Sequence, residues 1–187
     1  MPARLSRAAT APILRPLSAV ASVPPGGAPG HDVDVRRVTR AQAAALMHLH
    51  DRQMAELPAA RGTRPRAGVL ELMEALFEPP LRAWAWIAER RGEPVGYAFA
   101  TVGFSMIERA YYFNLEALFV PAEARPSGIA AALFDRARRM SGELGCADLR
   151  WQVPVGQGDA QIAVPGHAAA ATVIQYVFPA PEGGRDD

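Results

Sequence analysis

Two segments in the first half of the chain carry apolar residues at three- and four-residue steps, which is typical of amphipathic helices. The first helix is predicted over 41–57, after Thr39 and Gln42, whose spacing matches a capping box. Its predicted buried stripe consists of Met47, Met54 and Leu57. The second helix is predicted over 69–77, before two prolines that end it. Its stripe consists of Val69, Leu72, Met73 and Leu76.

The spacing changes to alternation in the middle of the chain, which is typical of half-buried strands. Residues 82–89 alternate two tryptophans with small residues. The alternation resumes at 95–102, after a turn around Gly92. The two segments are therefore predicted to pair as an antiparallel hairpin. A shorter strand, 33–38, is predicted before the two helices.

The next predicted strand, 111–120, presents two different faces. By strict alternation one face consists of Tyr111, Phe113, Leu115, Ala117 and Phe119. The other face consists of Tyr112, Asn114, Glu116, Leu118 and Val120. This second face holds Glu116 among largely apolar neighbours, and a carboxylate in such surroundings is a candidate general base. A solvated carboxylate, or one paired with an arginine, is the alternative interpretation.

A third amphipathic helix and a last strand follow. The helix has a stripe formed by Ile129, Leu133, Ala137, Met140 and Leu144. Gly145 is a suitable C-terminal cap, and residues 147–153 read as a strand. The whole order, one strand, two helices, three strands, a helix and a strand, predicts an α/β (α+β) domain. We expect a central, mixed, mostly antiparallel sheet flanked by helices.

Composition narrows the class of protein. The chain has 187 residues, half of them hydrophobic, which is enough for one core. A formal net charge of +1 gives no support to nucleic-acid binding as the main function, and no apolar run is long enough to span a membrane. The single cysteine, Cys146, excludes an internal disulfide and suits the cytoplasm. We expect a cytoplasmic protein that binds neither nucleic acid nor membrane.

Both ends of the chain differ from its centre. Residues 1–31 contain arginines, prolines and glycines but no acidic residue, and they predict a disordered tail. A targeting segment, or a basic arm for nucleic acid or a membrane surface, is the alternative for this tail. Residues 181–187 are predicted to be flexible. The domain itself is predicted to extend over 32–180.

The turn before the third helix carries the most specific motif. The run Arg125-Pro126-Ser127-Gly128-Ile129-Ala130 resembles the Q/R-x-x-G-x-G/A signature of the GNAT acetyltransferases. The flanking segments also resemble the third strand, the fourth strand and the fifth strand of that family. The resemblance covers roughly residues 33–153. It implies an acyl-CoA N-acyltransferase fold.

The resemblance also implies how acetyl-CoA is held. Main-chain N–H groups at the start of a helix bind the pyrophosphate, and a glycine lets the backbone approach it. The positions carried over for this role are Arg125, Ser127, Gly128, Ile129 and Ala130. The main chain of Leu118, Phe119 and Val120 is expected to lie along the pantetheine arm. A primary amine then attacks the thioester directly, so no protein nucleophile and no metal are required.

Four residues are candidates for the acceptor chemistry. Glu116 is the candidate base, and Tyr176 is the candidate acid that protonates the leaving thiolate. Tyr111 and Tyr112 alternate across the strand, so one of them faces the cleft, and we take Tyr112 with Asn114 as substrate-binding residues. His48 and His50 are two residues apart on a helix and point in different directions, so they do not suit a metal site.

The chain departs from the family pattern after the fifth strand. There Gln157 and Val164 stand where the family usually has Asn and Tyr, and Val164 cannot give a proton. The alternative function is therefore a catalytically degenerate GNAT domain that binds an acyl-CoA or a partner protein. The C-terminal part is also shorter than usual, and an exposed sheet edge would favour a homodimer.

Overall fold

The computed structural model describes residues 33–57, 68–125 and 127–152. These form one five-stranded sheet in the order β1-β2-β3-β4-β5, with three α-helices. The elements are β1 Val33–Arg37, α1 Ala43–Glu56, α2 Val69–Phe77, β2 Ala83–Arg90, β3 Glu93–Ser105, β4 Ala110–Phe119, α3 Ile129–Glu143 and β5 Asp148–Trp151. Neighbouring strands from β1 to β4 are antiparallel, whereas β5 runs parallel to β4 after the α3 crossover. The predicted fold class is confirmed. The predicted tails, 1–31 and 181–187, lie outside the described residues.

The predicted hairpin is formed by β2 and β3. Its turn residues, Arg91 and Gly92, both have positive φ angles, 54° and 82°. Two consecutive positive φ angles match the right-handed twist of the flanking strands, and glycine adopts such an angle at little cost. The strands pair directly on either side of this turn, Arg90 with Glu93.

The first helix begins at Ala43, two residues after its predicted start and directly after a 3-10 turn at Arg40–Gln42, and it buries residues other than those predicted. The main-chain N–H of Thr39 donates to Oε1 of Gln42 at 3.2 Å, which confirms the capping box. The prediction that Met47, Met54 and Leu57 form the buried stripe is wrong, because Leu46 and Leu49 are the buried residues of α1. The next position of that stripe is Gln53, whose Oε1 accepts a hydrogen bond from the Tyr97 hydroxyl. A stripe that includes a polar residue does not stand out in a hydrophobic pattern.

The other two helices agree better with the sequence. In α2 the predicted stripe is buried at Leu76 and half-buried at Leu72, but Val69 is exposed. In α3 the four helical residues of the predicted stripe are buried: Ile129, Leu133, Ala137 and Met140. Leu144 follows the helix as its C-cap and is exposed, and Gly145 has a φ of 69°.

The helices cover both faces of the sheet. On the α3 face, Trp84, Trp86, Ala98, Ala100, Phe113 and Leu115 pack with buried residues of α3. On the opposite face, which we call the α1 face, Ala83, Ala85, Ile87, Tyr97 and Phe119 pack with residues of α1 and α2. Each face thus has its own apolar core.

A β-bulge at Glu116 interrupts β4. Ala117 pairs with Phe99 but Leu115 pairs with Ala100, so Glu116 has no partner on β3. Because of this extra residue, Ala117 and Phe119 pack on the α1 face, whereas Leu115 and Leu118 pack on the α3 face. The prediction that each face of β4 continues unchanged from Tyr111 to Val120 is therefore wrong.

Candidate active site

The candidate site lies where β4 and β5 separate. The two strands pair from Tyr112 with Asp148 to Leu115 with Trp151. Beyond Leu115, the described part of the chain offers β4 a partner only on its β3 side. The side chains of Phe119 and Val120 are buried in opposite cores. The main chain of this segment is therefore the part that can face the gap.

The start of α3 lies beside this gap. Its N-cap, Gly128, has a φ of 73° and is exposed, and a Cβ placed there would meet no atom of the described residues within 4 Å. The first N–H groups of a helix have no intrahelical partner, and no side chain caps Gly128. The positive end of the helix dipole adds to their attraction for an anion. The position thus suits a ligand with a phosphate group.

Close packing fixes the height of this helix start above the sheet. The side chain of Ile129 is buried against Gly96 of β3. A Cβ on Gly96 would come within 2.9 Å of the Phe119 carbonyl oxygen and 3.2 Å of Ile129 Cγ2. Since the Ile129 side chain belongs to the core, its main chain is the part available to a ligand.

Two residues of the turn motif already have partners within the protein. The Arg125 guanidinium donates to the Val120 carbonyl through Nε and pairs with Glu56 through Nη2 at 3.1 Å. The Ser127 hydroxyl donates to the Ala124 carbonyl. An anion that is to bind the Arg125 side chain must therefore compete with Glu56. Pro126 lies outside the described residues.

The polar residues of β4 meet on the α1 face. Tyr112 and Asn114 alternate with the buried Phe113 and Leu115, so they point away from α3. Glu116 joins them there, and its Oε1 accepts hydrogen bonds from Asn114 Nδ2 at 2.5 Å and from Thr101 Oγ1 at 3.0 Å. The structure thus brings Asn114 and Glu116 into contact as neighbours on one surface.

The surroundings of Glu116 differ from those expected. Its side chain is exposed and its hydrogen-bond partners are a hydroxyl and an amide, so the prediction of a carboxylate among apolar neighbours is wrong. The bulge is the cause, because it turns the apolar side chain of Leu118 to the other face of the sheet. The sequence interpretation also missed Thr101, which resembled an ordinary strand residue.

Tyr112 is held in place by two further residues that the sequence interpretation missed. Its ring lies across Gly103 of β3, where a Cβ would come within 2.3 Å of Tyr112 Cζ. The Arg150 guanidinium stacks on the same ring, with Cζ 4.1 Å from the centroid. The predicted strand ended at residue 102, whereas β3 extends to Ser105, so the sequence pattern did not place Gly103 within a strand. Tyr111 lies on the α3 face and contacts Phe104, so Tyr112 is the tyrosine that faces the Glu116 side.

Carboxylates hold Arg150 over the ring. Its Nε donates to Asp148 Oδ1 at 3.0 Å, and its Nη2 pairs with Glu108. These hydrogen bonds, chiefly that to Asp148, raise the pKa of Arg150 above its ordinary value. The guanidinium is therefore charged at any pH relevant to activity, and its charge is matched by the two carboxylates. The Arg150 side chain therefore has a fixed position against the Tyr112 ring.

The remaining predicted site residues lie elsewhere. Tyr176, Gln157 and Val164 are outside the described residues. Within 33–57, 68–125 and 127–152, no group of three or more His, Cys, Asp and Glu side chains is arranged to hold a metal ion. His48 is exposed, and His50 Nδ1 is 3.7 Å from Asp51. None of the helices in these ranges has the length and apolar character needed to cross a membrane.

Comparisons with known proteins agree with this geometry. A model of the acetyltransferase (GNAT) family matches residues 45–164. No curated protein matches the sequence. The similar solved structures include a ribosomal-protein-alanine N-acetyltransferase from Brucella melitensis biovar Abortus 2308, at 23% identity and a TM-score of 0.61, covering 79% of this chain and 99% of that one.

Two further similar structures are aminoglycoside acetyltransferases. One, AAC(6')-Iy in complex with a bisubstrate analogue, has 18% identity and a TM-score of 0.65, covering 79% of this chain and 99% of that one. The other, from an uncultured soil metagenomic sample and in complex with sisomicin, has 14% identity and a TM-score of 0.65. It covers 79% of this chain and 97% of its own. At these identities the structures establish a shared fold.

Proposed function

Because the chain belongs to the GNAT acetyltransferase family, we propose that it transfers the acetyl group of acetyl-CoA to a primary amine. The amine belongs to a small molecule or a peptide, and it attacks the thioester carbonyl directly. The observation that carries the proposal is the separation of β4 from β5, which has a candidate group on each side of the sheet. The helix start at Gly128 lies on the α3 face, and the carboxylate of Glu116 lies on the α1 face. Between them, the main chain of β4 beyond Leu115 has no partner on its β5 side within the described residues.

The donor half of the proposed site uses main-chain groups. The N–H groups of Gly128, Ile129 and Ala130 bind the pyrophosphate, and Ser127 and Arg125 lie beside them. The main chain of Leu118, Phe119 and Val120 runs along the pantetheine arm. The open space over Gly128 and the burial of the Ile129, Phe119 and Val120 side chains support this assignment. Arg125 adds positive charge once it leaves Glu56.

The acceptor half uses Glu116. An ammonium group has no lone pair, so it must lose a proton before its nitrogen can attack the thioester carbon. Glu116 takes this proton, directly or through water, and passes it to solvent. The new C–N bond then replaces the C–S bond, and the thiolate takes a proton from Tyr176 to leave as CoA. Tyr112 and Asn114 line the acceptor side of Glu116.

Thermal unfolding with and without acetyl-CoA tests the donor site. Acetyl-CoA at about a hundred times its Kd adds about 2.7 kcal/mol, which raises the Tm of a domain of this size by about 5 to 10 °C. The Gly128→Glu variant, which places a carboxylate against the phosphates, should lose this rise.

The matched control is Gly145→Glu. Gly145 lies at the other end of α3 and has a similar φ of 69°, and an added Cβ there also meets no described atom within 4 Å. Both variants therefore carry the same backbone strain and the same charge. Retention of the rise in Gly128→Glu, or its loss in both variants, would contradict the proposed donor site.

The alternative function is an acyl-CoA-binding or protein-interaction domain without transfer activity. It is favoured by Val164, which stands where the family usually has a tyrosine. Release of CoA thiol from acetyl-CoA with a panel of small amines and peptides separates the two functions. A Tm rise without thiol release from any amine would support the alternative, and amine-dependent release would exclude it.

A homodimer and a cytoplasmic location stay predictions. Among the described strands β5 lies at the edge of the sheet, which is the kind of position where a strand of a second protomer can pair. Sedimentation velocity at several protein concentrations measures the oligomeric state. A monomer at all concentrations would contradict the homodimer.

A further inference from the structure

The carboxylate of Glu116 is oriented by two donors that meet on the same oxygen. Thr101 Oγ1 lies 3.0 Å and Asn114 Nδ2 lies 2.5 Å from Oε1. Among the described residues no hydrogen bond reaches Oε2. One oxygen is therefore held by two donors, whereas the other has no partner in the part of the chain that the structure describes.

The sheet geometry explains why these donors converge. Thr101 on β3 pairs directly with Asn114 on β4, so their side chains stand side by side on the α1 face. Glu116 follows two residues later and, as the bulge residue, has no main-chain partner on β3. Its side chain is exposed, so burial does not restrict its rotamers. The two hydrogen bonds supply the orientation that packing does not.

The two donors differ in stiffness. Thr101 is β-branched and sits in a strand, so its χ1 angle is restricted and its hydroxyl stays in one place. It is also half-buried, next to Ala100 and Val102, which are held in the α3-face core. Thr101 is therefore the more rigid of the two supports.

We propose that Thr101 is a positioning residue for acetyl transfer, which holds Oε1 of Glu116 together with Asn114 so that Oε2 faces the acceptor amine. This inference rests on the proposed function and assigns Thr101 a role in it. In the step concerned, an N–H bond of the ammonium breaks and an O–H bond forms at Oε2. A carboxylate that rotates freely would present this oxygen in fewer encounters.

The test uses Thr101→Val, which keeps the shape and the β-branch but removes the hydroxyl. The kcat should fall on the order of tenfold, the rate equivalent of one hydrogen bond to a charged group. The KM for acetyl-CoA should stay unchanged, because Thr101 lies on the acceptor side. Thr101→Ser, which restores the hydroxyl, should recover most of the kcat. A loss that serine does not recover would overturn the positioning role.

A double-mutant cycle shows whether Thr101 acts through Glu116. In the Glu116→Gln background, Thr101→Val should cause no further loss, because the carboxylate is already absent. Fully additive losses would overturn the inference. Unchanged kcat in Thr101→Val with an impaired Glu116→Gln would overturn it as well, while the proposed function would stand. No transfer by the wild type with any amine would overturn the proposed function and the role of Thr101 together.

Discussion

The two faces of the sheet differ in how much of their surface is apolar and covered by helices. The α3 face is apolar from β1 to β5, and α3 covers it with four buried residues of one stripe. The α1 face is apolar only around Ile87, Tyr97 and Phe119, where α1 and α2 pack. Beyond that core it presents Thr101, Asn114, Glu116 and Tyr112, none of which is buried.

The difference shows how one sheet can be both rigid and accessible. The continuous α3-face core holds β3 and β4 in register, so polar side chains on the opposite face keep their spacing without burial. The bulge at Glu116 affects both faces, because it places the Leu118 side chain on the α3 face and the Glu116 carboxylate on the α1 face. Substitutions on the two faces should therefore affect different measurements.

The largest expected effect is on the rate, from Glu116→Gln. The kcat should fall about 10²- to 10⁴-fold, the usual contribution of a general base. The Tm should change little, because the side chain is exposed and its partners are themselves accessible to solvent. Initial rates of CoA release and a thermal melt on the same preparation check this. A rate within threefold of wild type would remove Glu116 from the mechanism.

The next effect is on stability, from Leu133→Ala on the α3 face. Leu133 is fully buried, so the cavity should lower the free energy of unfolding by about 2 to 5 kcal/mol. The control is Leu144→Ala, where the leucine next to the end of the same helix is exposed, and the change should stay within about 0.5 kcal/mol. Urea denaturation measures both. An equal decrease in the free energy of unfolding in both variants would mean that burial of Leu133 against the α3 face does not contribute to stability.

A smaller effect is expected from Gly103→Ala on the α1 face. The added methyl would overlap the Tyr112 ring and force it to move. The KM for the acceptor amine should rise on the order of tenfold, the low end of what an altered pocket contact costs. Acetyl-CoA affinity, measured by calorimetry, should not change. A changed acetyl-CoA affinity with an unchanged amine KM would place Tyr112 on the donor side instead.

The smallest effect is expected from Glu56→Gln, which releases Arg125 for the cofactor. An exposed ion pair contributes about 0.2 to 1 kcal/mol, so acetyl-CoA should bind up to about fivefold more tightly. The gain should shrink at high salt, because exposed charges are screened. Glu74→Gln, which removes an exposed pair with Arg82, is the control and should leave the affinity unchanged. Weaker binding in Glu56→Gln would contradict competition between Glu56 and the phosphates.

The α3 face was largely predictable from the sequence. The stripe of α3, its end at Gly145 and the turn at Gly92 depend on local spacing and backbone angles, which a single segment reveals. The motif at Gly128 was found because its glycine and helix start are adjacent in sequence.

The α1 face was less predictable, because its features depend on partners far along the chain. The stripe of α1 includes Gln53, whose side chain accepts a hydrogen bond from Tyr97 on β3. The bulge at Glu116 arises from the register between β3 and β4, so alternation within β4 alone could not show it. The contacts of Thr101 with Glu116 and of Arg150 with Tyr112 form only when β3, β4 and β5 lie side by side.

The position of the acetyl-CoA site can be measured by two-dimensional ¹⁵N–¹H NMR, from the chemical-shift changes that acetyl-CoA causes. We expect the largest amide shifts in two groups, residues 116–120 at the end of β4 and residues 127–131 at the start of α3. The amide signals of Arg91 and Gly92 in the hairpin turn should not shift. Large shifts confined to other regions, or none with saturating acetyl-CoA, would contradict a cofactor site where β4 and β5 separate.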